Sequence, residues 1–132
     1  GTSSARVDRA APLRRRPAQR PHDMPGFITE QQAEESLHWM ISQASALGEA
    51  VRLERTTEGL ISISEALEMK ASEGSDAKRK ETARTSQRYL KAVYANAEAA
   101  GKLAELRMLR DGHQARLDAW RSQSATLRAE KL

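Results

Sequence analysis

The sequence predicts an all-α protein: a long antiparallel two-helix hairpin that dimerises into a four-helix bundle. Three observations point there. Apolar residues recur at spacings of 3 and 4 on both sides of a single strong turn signal, and no proline follows residue 25. Aromatic residues are only 4% of the 132, and alanine swells the 39% hydrophobic fraction. Large side chains supply most buried area, so such a chain fills a narrow helix–helix seam and not a thick core.

Residues 1–23 stand apart from this pattern. They hold six arginines against Asp8 and Asp23, and Pro12, Pro17 and Pro21 forbid a continuing helix. The chain's net charge of +4 resides entirely there, because residues 24–132 carry 16 basic and 16 acidic side chains. The segment reads as a cloning remnant or a disordered basic arm, with Met24 as the natural start. Its other readings are an arm that folds on nucleic acid and a transit peptide, the latter disfavoured by the prolines.

The first helix is expected over about 30–72. Thr29 suits an N-cap and Gln32 completes a capping box. Phe27 and Ile28 precede it as a hydrophobic staple, and Glu30, Glu34 and Glu35 place negative charge on the positive end of the dipole. The expected inward stripe is Leu37, Met40, Ala44, Leu47 and Val51, resuming at Leu60, Ile63 and Leu67 after a polar gap at Glu54, Arg55 and Glu58. The turn falls at 73–75, where Gly74 suits a positive-φ position and Ser75 or Asp76 the next N-cap.

The second helix is expected over about 76–128 as one element, with a bend at Gly112 as its only irregularity. Its face runs Ser86, Leu90, Val93, Ala97, Ala100 and Ala104, then Leu106, Leu109, His113, Leu117, Trp120, Ser124 and Leu127. Each helix spans roughly 60 Å at 1.5 Å per residue. Folding at Gly74–Ser75 pairs residue i with roughly 148 − i. That register sets Leu47 against Gly101, Gly59 against Tyr89 and Trp120 against Ile28. It leaves Tyr94, Leu103 and Met108 in water, which a homodimer would cover.

The chain has no cysteine, so disulfides and thiolate metal sites are excluded, and a reducing compartment fits. No apolar run reaches the roughly 20 residues of a membrane helix, so no membrane partner is expected. Glu35-Ser36-Leu37-His38 has the Glu-x-x-His spacing of di-iron bundles, with His113 and Asp111 brought near by the register. Arg110 three residues before His113 repels a cation, so the expectation is a polar cluster, no metal and no cofactor. Serine, histidine and aspartate occur without a nucleophile turn or a glycine-rich oxyanion loop, so no catalytic residue is assigned and a non-enzyme is expected.

Lys78, Arg79, Lys80, Arg84, Arg88 and Lys91 crowd the start of the second helix. Cations there oppose the macrodipole and need an offset. Glu65, Glu68 and Glu73 on the facing helix supply one reading. The other is nucleic-acid binding: Lys80, Arg84, Arg88 and Lys91 aligned on one face to follow a phosphate backbone. Trp39 and Trp120 read as seam residues.

From Thr85-Ser-Gln-Arg-Tyr-Leu-Lys to Ala119-Trp-Arg-Ser-Gln-Ser-Ala the chain resembles small helical proteins of tailed bacteriophages and prophages. In these, a tyrosine-bearing region precedes a charged, Ala-rich helix ending in Trp-Arg-Ser/Thr-Gln, here Trp120-Arg121-Ser122-Gln123. The resemblance covers the last 50 or so residues. It implies a gene among replication and recombination functions, no established catalytic activity, and a cytoplasmic setting in a bacterial host. It also implies a partner contact at Trp120, Arg121 and Gln123.

The expected function is therefore a homodimeric accessory protein of phage DNA recombination or replication. It would act on a phage or host DNA-metabolism protein, with DNA-backbone contact as an additional mode. The alternatives are a counter-defence inhibitor that binds a host nuclease or RNA-guided complex, and a structural adaptor. The absence of Trp-x-Gly weighs against the secreted two-helix proteins in that last class.

Overall fold

Thr29, with extended backbone angles, opens the first helix as the sequence indicates. Its hydroxyl accepts from Gln32 N (3.1 Å), and its own N–H donates to the Gln32 side chain (3.0 Å), closing a capping box. The computed structural model describes residues 26–131, so the arm at 1–23 lies outside the described residues. Those residues are all-helical: α1 (Glu30–Ala71), α2 (Asp76–Arg84) and α3 (Gln87–Glu130), with α1 and α3 long and α2 short.

Between α1 and α2 the chain turns at Gly74, whose φ of +113° is a conformation that only glycine adopts without strain. The Ser75 hydroxyl then accepts from Lys78 N (3.3 Å) to start α2. Arg79 reaches back and donates from Nε to the Met69 carbonyl (3.0 Å). A cation thus sits on the negative end of α1, where the last carbonyls lack helical partners.

The single second helix expected from residue 76 is corrected here: it is interrupted at Thr85–Ser86. The cause is local. Thr85 Oγ1 donates to the carbonyls of Glu81 (3.0 Å) and Thr82 (3.2 Å). Ser86 Oγ donates to Ala83 O (2.6 Å) and accepts from Tyr89 N (3.2 Å), making Ser86 the N-cap of α3. Two adjacent hydroxyl side chains offer the backbone a competing set of bonds. At Gly112, by contrast, α3 runs on without interruption.

Hydrogen bonds between α1 and the later helices run in antiparallel order. They join Ile28 to Gln123, Gln32 to Arg116, Ser36 to His113 and Thr57 to Asn96. Near the turn they join Glu65 to Arg84 and Met69 to Arg79. The partners' numbers total between 148 and 153 throughout.

The buried and half-buried residues of each long helix include a set that recurs at the 3–4 spacing of a coiled-coil heptad seam. In α1 they include Ala33, Ser36, Met40, Gln43, Leu47, Ala50, Glu54, Thr57, Ile61 and Ser64. In α3 they include Asn96, Ala99, Leu103, Leu106, His113, Leu117, Trp120 and Leu127. The apolar centre is Ala50, Leu103 and Leu106, with Trp39, Leu47 and Val51 against it.

Several expected faces are therefore rotated. Leu37, Ala44, Leu60, Ile63 and Leu67 are exposed in α1, and Leu90, Ala97, Ala104 and Leu109 in α3. Leu103, expected in water, is 4% exposed. Gly59 and Gly101 are not tight-packing sites either, since a Cβ at either would meet nothing within 4 Å. The physical reason is that α1 carries two 3–4 stripes, and the one that meets α3 is built from small and polar residues that an apolar pattern passes over.

Candidate binding surfaces

Two polar clusters tie the seam together. Ser36 is completely buried, and its Oγ lies 2.8 Å from His113 Nδ1 while accepting from Arg116 (3.3 Å). Arg116 also donates to the Gln32 carbonyl (3.1 Å), and Glu35 lies 4.0 Å from it. The Trp39 ring stacks on the His113 imidazole at 4.7 Å between centroids. The next polar pair is Asn96 Nδ2, donating to Thr57 Oγ1 (3.1 Å) and to the Glu54 carbonyl (3.2 Å). Among the described residues no buried side-chain nitrogen or oxygen lacks a partner.

This arrangement joins α1 to α3. Ser36 is shut off from solvent, while the half-buried imidazole beside it stacks on the Trp39 indole and borders an open cleft with Met108 and Gly112. His113 turns to Ser36, Glu35 to Arg116, and Asp111 pairs with Arg110 (3.1 Å). Glu35, His38 and His113 are thus not gathered around a common point, and no group of three His, Asp or Glu among the described residues is placed to hold a metal ion.

The four cations Lys80, Arg84, Arg88 and Lys91 do not share one helix. Lys80 and Arg84 belong to α2, Arg88 and Lys91 to α3, and the break at Thr85–Ser86 separates the pairs. The continuous basic face expected of them is corrected accordingly. Arg84 Nε lies 3.3 Å from Glu65 and Arg88 Nε 3.6 Å from Glu68. The acidic end of α1 thus supplies the offset that the helix dipole requires. Lys80 and Lys91 make no ion pair among the described residues.

The terminal motif divides in two. Gln123 is consumed internally: its carbonyl accepts from Ile28 N (2.9 Å), and its amide donates to the Ile28 carbonyl. That two-ended clamp closes against Ile28. Trp120 lies a turn further in, half-buried beside Ala33, Leu37 and Leu117 around a shallow cleft of about 150 Å³. Arg121 stays exposed, 3.6 Å from Asp118. Arg121 and Ser122 are exposed and Trp120 is half-buried, so these leave surface for another molecule.

Large aliphatic side chains make up the other exposed feature. Leu53, Leu60, Ile63 and Leu67 are 44–55% exposed along one side of α1. Beside them an open groove runs over Ala92, Ala95 and Ala99 of α3. Sequence reasoning placed Leu60, Ile63 and Leu67 inside. The signal that separates them is the unbroken heptad of Ser36, Gln43, Ala50, Thr57 and Ser64. No helix among the described residues is long and apolar enough to cross a membrane.

Comparison with known proteins adds no relative: no protein-family model matches the chain, and searches of curated proteins and of solved structures return no match.

Proposed function

We propose that this chain is a non-enzymatic binding protein: a helical hairpin that self-associates into a four-helix bundle and docks on a protein of phage or host DNA metabolism. The observation that carries the reading is the distribution of side chains. Small and polar residues close the seam between α1 and α3, while Leu53, Leu60, Ile63 and Leu67 are left outside. Scattered exposed leucines are ordinary, but a contiguous aliphatic strip marks a surface that another chain covers. The clefts beside it are open grooves suited to a helix, the mode in which amphipathic helices are recognised.

Protein contact takes precedence over DNA contact because Arg84 and Arg88 are already matched by Glu65 and Glu68. The phage setting rests on the resemblance of the last 50 or so residues. Within the Trp120–Gln123 motif, Trp120 and Arg121 are the groups offered to a partner.

Retention on duplex DNA, measured for the full chain and for Arg84→Ala/Arg88→Ala across a salt series, tests this precedence. The two curves should coincide, since any retention would come from residues 1–23. A salt slope shallower by about one to two in the double variant would make the α2–α3 junction a phosphate-binding surface and displace the present reading.

A further inference from the structure

We infer that the exposed strip of α1 is the seat of a second copy of this chain, α1 against α1 in antiparallel order about a two-fold axis near Leu60. The inference rests on the bundle proposed above and names its interface.

The strip is a second complete heptad seam. Glu49, Leu53, Thr56, Leu60, Ile63, Leu67 and Lys70 follow one another at alternating steps of 4 and 3, all on one flank of α1 beside the α1–α3 seam, and all exposed. Stripes of this spacing pair helices by knobs-into-holes packing. The span is roughly 30 Å long, enough for several packing layers.

Its chemistry selects the occupant. Four aliphatic residues fill the middle, an acid stands at one end and a base at the other. A copy reversed about Leu60 sets Glu49 within a helical turn of the other chain's Lys70, and repeats the pair at the far end by symmetry. Neither Glu49 nor Lys70 makes an ion pair among the described residues, so both charges are available. A parallel copy would set Glu49 beside Glu49 and Lys70 beside Lys70. The charges thus favour the reversed orientation.

Sedimentation equilibrium of the full chain and its variants tests the interface. Wild type should be a dimer. Leu60→Asp brings two carboxylates together at the axis and should weaken the dimer by about 100-fold or more, with helicity by circular dichroism retained. Glu49→Lys and Lys70→Glu leave the apolar strip intact. Each alone should weaken its own homodimer by about tenfold, and an equimolar mixture should recover the wild-type affinity as a heterodimer. A wild-type dimer indifferent to Leu60→Asp, or charge variants that self-associate like wild type with no preference in the mixture, would overturn this interface and leave the bundle standing. A wild-type monomer would overturn both. If Leu60→Asp loses its helicity, the charge-exchange pair decides alone.

Discussion

Leu106→Ala is expected to cost about 3 kcal/mol of folding stability, within the usual range for emptying a buried leucine site. Leu106 is 7% exposed and packs with Ala50 and Leu103 under Trp39, Leu47 and Val51. Emptying the site removes contacts with Ala50 and Leu103, and Trp39, Leu47 and Val51 around it close only part of the void. Urea denaturation at fixed protein concentration should show the midpoint falling by about 1–2 M with little change in slope. Leu109→Ala is the control. Leu109 lies one turn away but is 45% exposed, and its loss should cost under about 1 kcal/mol. Equal costs at the two positions would mean that the faces of α3 are assigned wrongly.

The second large effect runs against the apolar pattern. A designer reading α1 as a coiled coil would place leucine at Ser36, a seam position. Ser36→Leu is expected instead to destabilise by about 3 kcal/mol or more. The site is completely filled, so three extra carbons force side chains off their rotamers, typically at about 1–3 kcal/mol. The His113 nitrogen and one Arg116 N–H also lose the hydroxyl they share, at about 1–3 kcal/mol for buried polar groups left without a partner. Ser36→Ala removes the hydrogen bonds without adding bulk and should cost about half as much. A more stable Ser36→Leu protein would show that the polar cluster is slack packing and not a designed junction.

How far the sequence carried the fold depended on which signals were local. The capping box at Thr29 and Gln32 and the turn at Gly74 are set by neighbours within four residues, and both were legible. The turn position gives a register near 148, and the hydrogen-bonded pairs total 148 to 153. What the sequence concealed was the choice between two stripes on α1. Leu60, Ile63 and Leu67 outrank Thr57 and Ser64 on any hydrophobic scale, yet Thr57 faces α3 because Asn96 there donates to it and to the Glu54 carbonyl. Polar complementarity across a seam pairs residues 39 positions apart, and nothing in either segment alone announces it. The break at Thr85–Ser86 was local and could have been found. Thr85 is the C-cap of α2 and Ser86 the N-cap of α3, and adjacent hydroxyl residues are a visible source of such competition with the helix.

The candidate surfaces followed the same rule. The cations were visible as a cluster, but their neutralisation by Glu65 and Glu68 depends on the register, and their division between two helices depends on the break. Gln123 was visible only as part of a motif. Its clamp on both backbone groups of Ile28 is a tertiary contact between the two ends of the described chain.

The central claim is that α1 and α3 lie antiparallel with partner numbers totalling about 150. The chain has no cysteine, so a pair of introduced ones can be labelled without background. Spin labels at Ala44→Cys and Arg107→Cys, both exposed, diluted into unlabelled protein and read by pulsed dipolar spectroscopy, measure the claim most directly. Neighbouring helix axes about 8–10 Å apart predict a narrow distribution at about 10–20 Å between the labels. A distribution centred beyond about 50 Å, as a continuous rod through residues 72–86 would give at 1.5 Å per residue, would contradict it.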